Sequence, residues 1–128
     1  MARIIAIEDS PVIQRLIEIT MRDTDVEVES YLRGSDGLEA ALANPPDAVV
    51  LDLGLPDLSG WQVLERLRSD SVTSEIPVVV TTGDSRSGVA DRVAALDAVI
   101  LVKPYTGAVL RAEILSLIQS RPVARSLS

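Results

Sequence analysis

Short apolar runs that alternate with helix-like segments constrain the fold of this chain more than any other feature. The runs are four to six residues long, and most are rich in Val and Ile, as is typical of strands buried on both faces of a sheet. Strands that alternate with helices form a parallel sheet covered by helices on both faces, with right-handed crossovers. The sequence therefore predicts an α/β fold with strands at residues 4–7, 26–31, 47–52, 77–81 and 98–102.

Three of the segments that follow these runs carry clear start signals for helices. Ser10 can cap a helix in which Pro11 occupies the first position. Ser59 and Gln62 form a capping-box pattern for another helix, and Thr106 can cap the last one. Apolar residues at helical spacing predict the buried stripe of this last helix, which comprises Val109, Leu110, Ile114, Leu117 and Ile118.

Two further helices are predicted from weaker signals. Residues 34–37 are predicted to form a turn, and Asp36 with Glu39 forms a D-x-x-E start for a short helix. This helix is expected to stop at residues 44–46, which read Asn-Pro-Pro. Residues 84–95 are predicted to form a helix of weak amphipathicity.

The composition restricts the kinds of function that the chain can have. It contains no cysteine and no histidine, which excludes disulfides, thiol catalysis and thiolate or imidazole zinc sites. A net charge of −7 disfavours binding to nucleic acid. No stretch approaches the roughly 20 apolar residues of a membrane span, and the N-terminus lacks the pattern of a signal peptide. We therefore expect a cytoplasmic protein whose metal ligands, if any, are oxygens.

The length of the chain predicts one domain. With 128 residues, 47% of them apolar, the chain can bury one continuous core. It has no internal repeat or low-complexity segment that would indicate a second domain. We expect the domain to span residues 1–120, followed by a frayed tail at residues 121–128 that lacks periodicity.

Polar residues lie at the C-terminal ends of four of the predicted strands. Glu8 and Asp9 follow the first strand, Asp52 ends the third, and Thr82 and Lys103 follow the fourth and fifth. Ligands of parallel α/β sheets bind outside the carboxyl ends of the strands. These five residues are therefore expected to converge on one cleft.

The chemistry of this cleft suits a phosphoryl group and a divalent cation. Three carboxylates that lie close together repel one another, which favours a bound cation, and Mg²⁺ suits such a site because it takes few carboxylates and keeps several waters. Lys103 adds a positive charge, and the Thr82 hydroxyl can donate to a bound anion. Thr81 is the alternative donor, because a slip of one residue exchanges the two faces of a strand. An Asp carboxylate can also act as a nucleophile, so phosphate can be held covalently or free.

Four motifs in this order resemble the receiver domain of two-component response regulators, and the match runs from about residue 3 to residue 119. The resemblance implies a flavodoxin-like fold with five parallel strands in the order 2-1-3-4-5. The motifs are I-E-D-S-P at residues 7–11, L-D-L-G-L-P-x-x-x-G at residues 51–60, I-P-V-V-V-T-T-G at residues 76–83 and V-K-P-Y at residues 102–105.

The resemblance also assigns roles to the residues of the acidic cluster. It implies that Asp52 accepts the phosphoryl group. It implies that Glu8 and Asp9 bind Mg²⁺ together with Asp52 and the backbone carbonyl of Gly54. The implied donor is a phosphohistidine on a sensor histidine kinase or a histidine phosphotransfer protein.

The remaining implied roles concern the response to phosphorylation. Thr82 would turn toward the phosphoryl group and Lys103 would contact it. Family members commonly carry Phe or Tyr three residues before this lysine, whereas this chain has Ile100. Because the sequence shows no DNA-binding segment, the working expectation is a stand-alone receiver. Its signal would pass by protein contact, with homodimerisation as one mode, by competition for phosphate in a relay, or through an output domain that lies outside this sequence.

Two other classes of function stay open at this point. A Mg²⁺-dependent phosphohydrolase could use Asp52 as its nucleophile, although residue 54 is Gly and supplies no second acid. A receiver-like interaction module that never takes phosphate is the other alternative. A P-loop nucleotide enzyme is excluded, because the sequence has no G-x-x-x-x-G-K-[ST] motif.

Overall fold

The computed structural model describes residues 2–120, which form a parallel sheet between two layers of helices. The strand order in the sheet is β2-β1-β3-β4-β5, with every neighbouring pair parallel. The predicted fold class and strand order are therefore confirmed. Strands β1 to β5 span Ala2–Ile7, Val26–Tyr31, Ala48–Asp52, Val78–Thr82 and Val99–Val102. Helices α1 to α5 span Pro11–Thr20, Gly34–Ala43, Gly60–Ser69, Ser87–Ala95 and Gly107–Gln119.

Each face of the sheet carries its own hydrophobic core. One core packs α2, α3 and α4 against residues such as Ile5 and Ile7, and the other packs α1 and α5 against residues such as Ile4 and Ala6. All four of these β1 residues are fully buried. The central strands are covered on both sides, which explains why their sequences are continuously apolar.

The helices with strong start signals begin where they were predicted to begin. The Ser10 hydroxyl accepts a hydrogen bond from the backbone N–H of Ile13, and the Thr106 hydroxyl accepts one from the N–H of Val109. Ser59 and Gln62 form the predicted capping box. These caps lie within four residues of the groups that they satisfy, so they can be read from the sequence.

The turn predicted at residues 34–37 is wrong. Helix α2 begins at Gly34, and Asp36 lies in its first turn. Gly34 and Gly37 are both buried, and a Cβ atom on Gly37 would lie 2.5 Å from the Ile7 side chain. Here the glycines allow a close approach of the helix to the sheet and the loop after β3, and do not mark a turn.

Two smaller predictions are also wrong. Helix α4 begins at Ser87 instead of residue 84, because the Asp84 carboxylate accepts a hydrogen bond from the Arg86 N–H at 3.1 Å and holds these residues in a loop. In α5, Leu110 and Ile114 are fully buried as predicted, but Val109 is 47% exposed. Val109 lies in the first turn of the helix and faces solvent.

The predicted tail at residues 121–128 lies outside the described residues. Among residues 2–120, no helix is long and apolar enough to cross a membrane.

Candidate functional site

Three carboxylates meet at the carboxyl ends of β1 and β3. Glu8 and Asp9 follow β1, and Asp52 is the last residue of β3, whose Leu51 pairs with Ile7 of β1. One carboxylate oxygen from each acid lies within 4.8 Å of the other two. Glu8 is 2% exposed and Asp52 is 4% exposed, whereas Asp9 is exposed. The cluster is therefore buried on one side and open to solvent on the other.

Lys103 places its ammonium group against two of these acids. Its Nζ lies 3.3 Å from Oε1 of Glu8 and 3.4 Å from Oδ2 of Asp52. The backbone of the lysine is held as well, because its N–H donates to the Thr82 carbonyl at 2.7 Å. The Lys103–Pro104 peptide bond is cis. The lysine thus offsets part of the repulsion between the two buried carboxylates.

The electrostatics of the site favour a further cation. The pKa of Glu8 is raised to about 7, chiefly by burial and also by the nearby Asp52 carboxylate, while Lys103 opposes both effects. One ammonium group does not compensate two buried carboxylates with Asp9 beside them. A hard divalent cation with oxygen ligands would complete the neutralisation, and the donor set of Glu8, Asp9 and Asp52 fits Mg²⁺.

The backbone around Asp52 is held by a close-packed loop. The N–H of Gly54 donates to Oδ1 of Asp52 at 2.9 Å, and the N–H of Leu53 donates to the Thr81 carbonyl at 3.1 Å. A Cβ atom on Gly60 would overlap Cα of Leu53 and lie 2.6 Å from the carbonyl oxygen of Asp52. Only glycine therefore lets α3 start this close to the acid.

Gly54 lies in the loop directly after Asp52. No hydrogen bond within residues 2–120 is accepted by its carbonyl oxygen. The space beside the residue is open, because a Cβ atom there would meet only Oδ1 of Asp52, at 3.7 Å. Gly54 thus lies next to the acidic cluster.

The two threonines of β4 have different surroundings. Strand β4 extends to Thr82, one residue further than predicted, and it is Thr81 that pairs with Asp52 in the sheet register. The Thr82 hydroxyl accepts a hydrogen bond from the N–H of Asp84 at 3.1 Å, and it makes none to Asp52 within the described residues. Thr82 is therefore engaged with the loop between β4 and α4, while the Thr81 hydroxyl is buried without a hydrogen-bond partner in residues 2–120.

Tyr105 is a neighbour of the site to which the sequence assigned no role. The pKa of its hydroxyl is raised to about 12, chiefly by burial and also by the negative charges of Glu8 and Asp52. Its hydroxyl is buried and, among residues 2–120, has no hydrogen-bond partner. The V-K-P-Y motif was the available signal, but the motif alone does not show that the ring lies near the acids.

Asp57 is a second residue that the sequence reasoning missed. Its carboxylate accepts hydrogen bonds from the backbone N–H of Gly34 at 2.7 Å, from the N–H of Ser35 at 3.0 Å and from the Ser35 hydroxyl at 2.6 Å. These donors lie 22 and 23 residues away in the sequence. No local pattern could have shown the contact.

Comparison with known sequences identifies a family and several relatives. The family described as "Response regulator receiver domain" matches residues 4–115. The transcriptional regulatory protein PrrA of Mycobacterium tuberculosis is 35% identical over 122 residues, which cover 93% of this chain and 51% of that protein. The response regulator ArlR of Staphylococcus saprophyticus is 31% identical over 125 residues, 95% of this chain and 54% of that protein. The chain thus spans about half the length of these relatives.

Solved structures show the same architecture. The chemotaxis response regulator CheY4 of Vibrio cholerae superposes with a TM-score of 0.84 at 24% identity, covering 91% of this chain and 98% of that one. This likeness concerns the fold alone. A sensor protein from Polaromonas sp. gives a TM-score of 0.82 at 28% identity, with coverage of 92% and 96%.

Proposed function

This chain belongs to the response regulator receiver domain family of two-component signalling, and on that premise we propose that it is a switch phosphorylated on Asp52. Receiver domains are signalling modules. The proposal adds the acceptor residue, the residues that assist it and the kind of donor. It also assigns the receiver domain to residues 1–120.

The observation that carries the proposal is the arrangement around Asp52. A nearly buried carboxylate lies 3.4 Å from a lysine ammonium group and within 4.8 Å of two other acids. A carboxylate placed only for stability would not need two acidic neighbours that repel it. The same arrangement suits an acyl phosphate, whose charge needs positive groups on several sides.

The reaction transfers a phosphoryl group from a donor nitrogen to a carboxylate oxygen. An Asp52 oxygen forms the new O–P bond while the N–P bond of the donor phosphohistidine breaks, and the donor imidazole keeps the electron pair. Lys103 lies on the Oδ2 side of Asp52, where it can neutralise charge on the transferring group. Gly54 holds Oδ1 through its N–H, which orients the carboxylate for attack.

Glu8, Asp9, Asp52 and the Gly54 carbonyl are the groups that would hold Mg²⁺. When bound, the ion neutralises phosphoryl oxygens and aligns them with the attacking carboxylate. Glu8 is one methylene longer than the Asp more common at this position, and its carboxylate already contacts Lys103. Glu8 and Asp52 must therefore share their carboxylate oxygens between Lys103 and the ion.

The response to phosphorylation starts at Thr82. Its hydroxyl, which accepts a hydrogen bond from the Asp84 N–H, would turn to donate one to a phosphoryl oxygen, and this turn pulls on the loop between β4 and α4. Asp84 and Arg86 are joined in this loop by an ion pair and a backbone hydrogen bond, so a movement of Asp84 would be passed on to Arg86. Ile100 packs against the core formed with α2, α3 and α4, and it cannot swing as an aromatic ring would. The conformational change therefore reaches a protein target through the β4–α4 loop and α4.

The donor and the target are proposed by class. A sensor histidine kinase or a histidine phosphotransfer protein supplies the phosphoryl group. The target is a protein surface that distinguishes the two positions of the β4–α4 loop.

A single experiment tests the assignment. The protein is incubated with Mg²⁺ and a small phosphodonor such as acetyl phosphate, and the intact mass of the wild type and of Asp52→Asn is recorded. We expect one phosphoryl adduct that the variant lacks. Continuous turnover of phosphate esters would indicate a phosphohydrolase instead, and the absence of an adduct in the wild type would indicate an interaction module.

A further inference from the structure

We propose that Asp57 is a positioning residue that ties the loop after Asp52 to the start of α2 and thereby sets the Gly54 carbonyl in the metal site. This inference rests on the proposed function, because it deepens the account of the same site. Within residues 2–120, the hydrogen bonds and ion pair of Asp57 join it to Arg33, Gly34 and Ser35. It acts through the backbone of residues 53–57.

Asp57 serves as the cap of a helix to which it does not belong. The residue before α2, Arg33, makes no capping hydrogen bond with its side chain, so the first N–H groups of the helix need an acceptor from elsewhere. Both oxygens of Asp57 fill this role, with bonds of 2.7 Å to the Gly34 N–H and 3.0 Å to the Ser35 N–H. The Asp57 side chain is only 13% exposed.

The charge of Asp57 suits this position. A carboxylate at the N-terminus of a helix interacts favourably with the helix dipole, and Arg33 lies 3.9 Å away on the same side. The hydroxyl and N–H of Ser35 hold the pKa of Asp57 well below its ordinary value. Asp57 is therefore ionised and hydrogen-bonded in the folded protein at neutral pH.

The loop is thus anchored at two points with Gly54 between them. At one end Leu53 is bonded to β4 and to the start of α3 through its N–H and carbonyl. At the other end is Asp57. The side chain of Leu55 also packs closely on α2, since its Cδ1 would lie 3.1 Å from a Cβ atom on Gly34. Three residues held at both ends have little freedom to move their carbonyls.

This arrangement links α2 to the metal site in both directions. If the Asp57 contacts favour the loop position that binds Mg²⁺, then bound Mg²⁺ must favour the Asp57 contacts by the same free energy. Amide hydrogen exchange at Gly34 and Ser35 should then slow when Mg²⁺ is added. A cap that only stabilised the helix would show no such response.

The test measures Mg²⁺ affinity by calorimetry for the wild-type chain, three variants of the Asp57 contacts and one control variant. Asp57→Ala is expected to weaken Mg²⁺ binding roughly tenfold, as is usual when a residue behind the direct ligands of a metal is removed. Asp57→Asn keeps one acceptor oxygen, and its Mg²⁺ affinity should lie between those of the wild type and Asp57→Ala. Ser35→Ala removes one of the three donors, leaves the backbone bonds in place, and should weaken binding by roughly two- to threefold. It serves as the readout if Asp57→Ala does not fold.

Asp70→Ala is the matched control. Asp70 also accepts a backbone N–H with its carboxylate, that of Val72 at 3.0 Å, but it follows α3 at the opposite end of the sheet. Its loss should lower the free energy of unfolding without changing Mg²⁺ affinity.

The possible outcomes distinguish a failure of the positioning role from a failure of the proposed function. Folded Asp57 or Ser35 variants that bind Mg²⁺ as tightly as the wild type would overturn the positioning role, even if Asp52 is phosphorylated normally. A loss of Mg²⁺ affinity in Asp70→Ala equal to that in Asp57→Ala would overturn it too. A wild type that binds no Mg²⁺ and forms no Asp52 adduct would overturn the proposed function itself.

Discussion

Glu8 and Lys103 are 95 residues apart in the sequence, yet their side chains form an ion pair of 3.3 Å at the carboxyl edge of the sheet. The same ammonium group lies 3.4 Å from Asp52. One cation is thus shared by two buried acids, and the site is left with excess negative charge. This relationship determines both the chemistry expected of the site and its dependence on pH.

Replacing Lys103 by Met should slow phosphorylation strongly. The change removes the only ammonium group that contacts Asp52 within the described residues, and losing a preorganised charge of this kind typically costs about 10²-fold in rate. The rate is measured by intact mass with a small phosphodonor at saturating Mg²⁺. Arg111→Met, which breaks the exposed ion pair with Asp23, is the control and should keep the wild-type rate. Equal rates in the two variants would contradict the role of Lys103.

The stability of the metal-free protein should fall as the pH rises from about 5 to 7.5. The pKa of Glu8 is raised from 4.5 to about 7 on folding, so between these values the folded state binds more protons than the unfolded chain. The stabilising contribution of Glu8 is fully present below the pKa of the unfolded chain. It is lost as the pH rises through the pKa of the folded state, and the total loss is about 3 kcal/mol.

Urea unfolding across this pH range, without metal, measures the effect. Other acids titrate as well, so the informative quantity is the difference between the wild type and Glu8→Gln. Added Mg²⁺ should reduce the decline, because the cation favours the ionised carboxylate. Parallel pH profiles for the two proteins would show that Glu8 is not the group responsible.

Gly60→Ala should destabilise the protein and disturb the site together. The new methyl group would meet the backbone of Leu53 and Asp52, which cannot yield as a side chain can, and we expect a loss of about 3 kcal/mol. Gly88→Ala is the matched control, since a Cβ atom there meets nothing within 4 Å. In a helix this change should stabilise by roughly 0.5–1 kcal/mol. Urea unfolding of both variants decides; a tolerated Gly60→Ala would show that α3 can shift away from β3.

Thr81→Val should stabilise the protein by about 1 kcal/mol, because it removes a buried hydroxyl that lacks a partner in residues 2–120. Thr73→Val makes the same change at another fully buried position, where the hydroxyl donates to the Leu67 carbonyl at 2.7 Å. That variant should lose about 1–2 kcal/mol. Thermal or urea unfolding gives the sign for each. Destabilisation by Thr81→Val would mean that its hydroxyl is satisfied, for instance by a buried water.

Much of the fold could be predicted because the signals are local. Apolar runs buried on both faces, and caps such as Ser10 and Ser59, depend on residues within one turn or one strand. The start of α2 could not be predicted in this way. Its cap is Asp57, and Gly34 and Gly37 resemble turn residues until α2 is placed against β1 and the loop after β3.

The candidate site, like the fold, could be predicted only in part. That Glu8, Asp9, Asp52 and Lys103 meet follows from the rule that parallel strands end on one edge. Which oxygen of Asp52 faces Lys103, and where the Thr82 hydroxyl points, depends on strand register and on the loop after β4.

The sequence by itself determined the α/β class, the sheet edge that carries the acids and the residue types at that edge, because these follow from periodicity and chain order. Only the tertiary structure decided that Thr81 pairs with Asp52, that one lysine is shared by two buried acids, and that Asp57 caps α2 from another loop. Each of these contacts joins residues that are far apart in the chain. Its geometry is set by the packing of the whole sheet, which no local pattern encodes.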